Sequence, residues 1–203
     1  MRRVISKIRS EQSYYVRAIK EAVDLIHSKC SRSYFFDEDT FRFSIVKLAK
    51  ELGFSIYRTN LQQRFQVEAG VLISPDLWEK PDVQNDKVLL VANGLSPAKA
   101  RYALALSLAY YLFDFKNEYN VMDYQRLLDT TIFNEHQSTN LEESVTDFAM
   151  YLLMPDKTFN LSYKEAYRMF NGVAFDIVSE LTRTFDVPAF LVIRRIEKIK
   201  ENL

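Results

Sequence analysis

The stretch Ser96 to Phe115, SPAKARYALALSLAYYLFDF, decides the fold of this chain. Ser96 followed by Pro97 is a helix start: the hydroxyl caps free backbone N–H groups, and the proline ring fixes φ where no donor is needed. From Tyr102 to Phe113 every residue but Ser107 is apolar or aromatic. A surface helix keeps a polar face, so a helix that is apolar all round belongs in the centre of a domain. It is too short to span a bilayer, which takes roughly 20 residues.

Within it, Arg101-Tyr102-Ala103-Leu104-Ala105-Leu106-Ser107-Leu108-Ala109-Tyr110-Tyr111-Leu112 resembles the RFTLAHELGHYLL helix of the ImmA/IrrE metallopeptidase family, bacterial zincin-like proteins often found with phage and mobile-element repressors. In that motif two His at i and i+4 bind zinc and the Glu beside the first is the general base. Aligned on Arg101 and Leu112, the first His is Leu106, the Glu is Ser107 and the second His is Tyr110. Leu has no lone pair and a neutral Tyr is a poor zinc ligand. The chain holds only two His, His27 and His136, and one Cys, Cys30, so no His pair at i, i+4 exists in it. Structural zinc contributes on the order of 10–16 kcal/mol, and a single remaining carboxylate recovers little of that.

Toward the C-terminus, Glu142 to Pro155, EESVTDFAMYLLMP, resembles the family's E-x-E-A-N-x-F-A-x-x-L-L-M-P helix at Glu142, Phe148, Ala149, Leu152, Leu153, Met154 and Pro155. It departs from that pattern at Ser144, Val145 and Thr146. The resemblance implies that Glu142 or Glu143 stands about where the third zinc ligand would be. Acidic residues in a first helical turn are also favoured by the helix dipole alone. Beyond it, Ser162 reads as the cap of KEAYRMF and Gly172 as its end. Val173–Phe185 and Pro188–Lys200 read as two more helices joined at Asp186-Val187. Ser179 to Ile199 resembles the family's C-terminal helix pair and has the rhythm of a helix-turn-helix. A DNA-reading helix offers polar groups at its N-terminal end, whereas Pro188 to Ile193 is apolar. DNA binding is therefore not expected. Phosphate contact through Arg194, Arg195, Lys198 and Lys200 would be its one form.

Toward the N-terminus, Lys87–Ala92 (KVLLVA), Phe65–Ser74 and Phe54–Thr59 (FSIYRT) read as strands. Ser44 caps a short helix whose apolar face is Ile45, Leu48, Ala49 and Leu52, and Gly53 closes it. This helix, Gly, strand unit resembles the family's opening segment at Ala49, Leu52 and Gly53. Ser10–Cys30 reads as a first helix, with Tyr15, Ile19, Ala22, Val23 and Ile26 on its inner face. Ser31–Thr40 and Pro75–Asp86 read as loops, as does most of Lys116–Thr139, with a short helix near Tyr124–Leu128. Trp78, in the second loop, covers the core or contacts a partner. His27 and Cys30 share a helix face but are too few to hold a metal. His136 lies in a polar loop, where a lone His is usually just solvated.

With 48% apolar residues the chain can build a large core, and its 27 basic and 27 acidic residues exert no global pull on nucleic acid or anionic lipid. A single Cys suits a reducing cytosol. The basic start, MRRVISKIRSEQ, lacks the apolar run of a signal peptide. The expected location is cytoplasmic, without membrane contact.

The resemblance implies an α+β, zincin-like fold with a small, mostly antiparallel sheet, a buried central helix and a C-terminal helical region. Residues 1–155 would form the zincin-type domain with its N-terminal helix, and residues 156–203 a helical extension packed on it. It further implies a catalytically silent member that needs no cofactor and binds a protein partner, such as a helix-turn-helix repressor or a toxin or antitoxin. An alternative is an active metal-dependent endopeptidase in which Glu142 or Glu143, His136 and Tyr110 form an unusual metal site. It lacks a carboxylate beside Leu106 to act as base. A third reading is an unrelated α+β domain, in which the Tyr102–Leu112 and Phe148–Pro155 helices need not touch.

Overall fold

The computed structural model describes residues 19–20, 23–24, 26–28, 42–61, 68–72, 87–113 and 140–201. After helical residues at 19–20, 23–24 and 26–28 come α1 (Ile45–Glu51), β1 (Phe54–Thr59), β2 (Ala69–Leu72), β3 (Lys87–Ala92) and α2 (Pro97–Phe113). A helical region of α3 (Asn140–Leu153), α4 (Asp156–Met169), α5 (Ala174–Phe185) and α6 (Ala189–Lys200) follows. No helix among the described residues is long and apolar enough to cross a membrane.

The sheet has the order β1-β3-β2. β1 runs parallel to β3, from Phe54 beside Lys87 to Thr59 beside Ala92, and β2 runs antiparallel to it, with Ala69 beside Val91. The described sheet is thus mixed, not mostly antiparallel as expected. The middle strand has partners on both edges, and Val88 to Ala92 are all buried, which is why β3 is a continuous apolar run instead of an alternating one.

α1 starts as its sequence predicts, with Ser44 Oγ accepting from Lys47 N, and ends at Gly53, whose φ of +84° suits a residue without Cβ. α2 starts with Ser96 Oγ accepting from Lys99 N. Tyr102 through Ala109 are all buried, because α2 packs on α1, β2, β3 and α3 together. No side of this part of the helix meets water.

Met154 and Pro155 join α3 to α4. α4 begins at Asp156, so Ser162 lies inside it and does not cap it. Pro155 cannot continue α3, and its extended backbone together with an acidic residue in the first turn supplies the start. The buried pair Phe159 and Ala166 then spans the place where the serine suggested a break. At the other end Gly172, φ +80°, donates its N–H to Tyr167 O at 3.1 Å. α5 and α6 are joined at Asp186, left-handed with φ +50°, and the fully buried Val187.

The helical region is tied to the rest by side chains far apart in sequence. Arg42 Nε and Nη2 donate to the carbonyls of Thr184 (2.8 Å) and Arg183 (2.6 Å), at the end of α5 where carbonyls lack helical partners. Lys20 Nζ lies 3.4 Å from Asp156.

Candidate functional site

Leu106 and Ser107, two of the three positions that match the metal motif, lie on the buried stretch of α2. Leu106 is 5% exposed and belongs to the main apolar cluster. Ser107 is buried, and its Oγ has no hydrogen-bond partner among the described residues. Tyr110 falls within α2 and Glu142 within α3, but both side chains lie outside the described set. Glu143 is exposed, and its carbonyl accepts from Arg194 Nη2 at 3.5 Å. A zinc ion wants imidazole, thiolate or carboxylate donors converging on one point. Leu106 offers no donor atom and Ser107 a single buried hydroxyl, so this pair does not fit it. No group of three or more His, Cys, Asp or Glu side chains able to hold a metal occurs among the described residues.

What the fold brings together around these helices is a charged network. Asp147, on α3, is 4% exposed and accepts from Arg194 Nε at 2.7 Å, with Lys198 Nζ at 3.8 Å from its other oxygen. Burial opposes the Arg194 charge, but the hydrogen bond and field of Asp147, with Glu143 beyond, outweigh it and hold the guanidinium above its usual pKa. One residue further along α6, Arg195 is buried, pairs with Asp156 and lies over the Tyr151 ring at 4.3 Å and the Phe159 ring at 5.2 Å. Lys20 meets the same Tyr151 ring at 5.0 Å. Burial first, then Asp147 and Asp156, push the Tyr151 phenol up to about 12 against the pull of Arg195. Arg194, Arg195 and Lys198, three of the four cations through which any phosphate contact would run, are therefore matched to carboxylates of the chain itself, and Lys200 is the exposed one.

Arg101, at the start of that stretch, has Nε and Nη2 buried without hydrogen-bond partners among the described residues. Burial lowers its pKa to about 10, with Asp186 opposing that shift and Arg42 adding to it. His27 donates from Nε2 to the Leu152 carbonyl at 3.0 Å and meets Phe43 edge-on, so it fastens the N-terminal helical residues to the end of α3. Cys30, Trp78 and His136 lie outside the described residues. Asp147 does not stand out in the sequence as a functional candidate, and Arg195 does so only as one of four cations late in the last helix. The available signal is Asp147 itself, one acid inside the apolar run Val145 to Met154.

The chain matches no protein-family model and no curated protein.

Proposed function

We propose that this protein is a non-catalytic relative of the ImmA/IrrE metallopeptidases that works as a protein-binding or regulatory module, linked to a phage or mobile-element regulator or to a toxin–antitoxin pair. One observation carries the reading: α2 packs along α3, the helix pair that would hold zinc in the family, while Leu106 at a ligand position is part of the apolar core. The helix-Gly-strand order of α1 and β1, and the buried end of α3 at Leu152, Leu153 and Met154, support it as well. On this reading the pair is kept as a scaffold, with Leu106 packing into the core where the first ligand would stand.

Elemental analysis of the purified chain, with a protease assay run with and without added zinc, tests this. The expected result is no stoichiometric metal and no cleavage in either condition. One tightly bound zinc per chain, lost in a His136→Ala variant, would instead establish the alternative peptidase with an unusual ligand set.

A further inference from the structure

The chain contains two Asn-Gly pairs, Asn93-Gly94 and Asn171-Gly172, and the fold treats them differently. An asparagine before glycine can lose its side-chain amide, because a glycine without Cβ lets its nitrogen approach the asparagine Cγ. Both asparagines are exposed. Asn171 is left-handed, φ +48°, and in that well ψ runs from about +30° to +60°, which puts the next nitrogen nearly anti to Cβ. That nitrogen is also occupied: Gly172 N–H donates to Tyr167 O at 3.1 Å, and the Tyr167 ring lies 3.2 Å from where a Gly172 Cβ would be. Asn93, in the turn from β3 to α2, is not among the described residues with positive φ. The Gly94 N–H has no hydrogen-bond partner among the described residues, and nothing stands within 4 Å of where its Cβ would be. Asn93 itself is held from its other side, where its N–H donates to Thr59 O at 2.9 Å and its Nδ2 to Asn60 Oδ1 at 2.8 Å.

We propose that Asn93 is a site of hydrolytic self-modification, with water as the co-reactant, and that the fold protects Asn171 from the same reaction. The Gly94 nitrogen gives up its proton and bonds Asn93 Cγ. The Cγ–Nδ2 bond breaks and Nδ2 leaves as ammonia, closing a cyclic imide. Water then opens the ring. Attack at Cγ leaves an aspartate in the normal backbone, and attack at the Asn93 carbonyl carbon leaves an isoaspartate whose chain runs through Cβ and Cγ. No electrons are transferred: an amide and water become a carboxylate and ammonia. Either product adds one carboxylate to a chain balanced at 27 acidic and 27 basic residues. The aspartate has no amide proton to give Asn60 Oδ1, so that bond is lost unless Asn60 turns its own amide. The isoaspartate lengthens the lead into α2 by a backbone atom on the far side of the Asn93 N–H, which spares the bond to Thr59 and slackens the start of the core helix.

Incubating the full chain at mildly alkaline pH in water enriched in heavy oxygen, followed by peptide mapping with mass spectrometry, tests it. The Asn93 peptide should convert to aspartate and isoaspartate carrying one heavy oxygen, and the Asn171 peptide should convert at least about tenfold more slowly. In guanidinium chloride, where the fold is gone, the two should convert at similar rates. Asn93→Gln, whose side chain has to close a larger ring, should keep residue 93 intact and remove the more acidic species seen on anion exchange. Three results would overturn the proposal: Asn171 converting as fast as Asn93 in the native chain, a rate difference that persists in guanidinium chloride, or an Asn93 that stays intact while the denatured chain converts at both pairs.

Discussion

Arg194 Nε lies 2.7 Å from Asp147 Oδ1, joining α6 to α3 across 47 residues of sequence, with the carboxylate almost wholly out of water. Removing one member of such a pair strands the other. Asp147→Ala should destabilise the fold by roughly 2–3 kcal/mol, below the full cost of breaking a buried pair because Arg194 and Lys198 keep some contact with water. Urea denaturation measures it, and a cycle with Arg194→Ala should show the two losses to be non-additive.

Arg195 and Asp156 predict an asymmetry. The guanidinium is 2% exposed and the carboxylate 38%, so a stranded Arg195 costs more than a stranded Asp156. Asp156→Ala should lower stability more than Arg195→Met, whose side chain can lie against Tyr151 and Phe159 in place of the guanidinium stem. Equal losses in thermal melts would mean that the aromatic contacts, and not the charge, set the cost.

Leu106 tests whether the motif position is core or cleft. If it packs as its burial indicates, Leu106→Ala should cost roughly 2–4 kcal/mol. A residue lining an open cleft would lose under about 1 kcal/mol by the same truncation. Equilibrium unfolding separates the two.

His27 makes stability depend on pH. Burial lowers its pKa below 6.5, against the opposing effects of the Leu152 carbonyl, Asp24 and Asp156. The unfolded state therefore takes up its proton first as pH falls. Stability from the neutral ring is full above 6.5, declines below it, and is lost once pH passes the lowered folded value. Stability measured between roughly pH 5 and 8 should show this decline, and a His27→Gln variant should flatten it.

Much of the architecture was legible because local chemistry and tertiary demand agree there. Ser44 and Gly53 bracket α1, the uninterrupted KVLLVA is a middle strand, and the unbroken apolar run of α2 is the centre of the core. Two readings failed where a stronger local cue lay nearby or the cue was not local at all. Ser162 resembled a cap, but Pro155 and Asp156 had already set the helix start seven residues earlier. The direction of the β1–β3 pair depends on the path between them, which strand periodicity does not encode. Of the site, the absence of donors at Leu106 and Ser107 could be read directly. The partners of Asp147 and Arg195 could not, because they depend on which helices meet.

The two bonds from Arg42 also bear on how the chain matures during synthesis. The carbonyls that receive them belong to residues 141 and 142 positions later. At about 5–20 residues per second the ribosome makes that stretch in on the order of ten seconds. Once Ala92 has been made, and for the rest of that interval, the nascent chain carries α1 and its strands without the helix end that Arg42 closes. A chaperone that shields exposed apolar surface has its longest opportunity there.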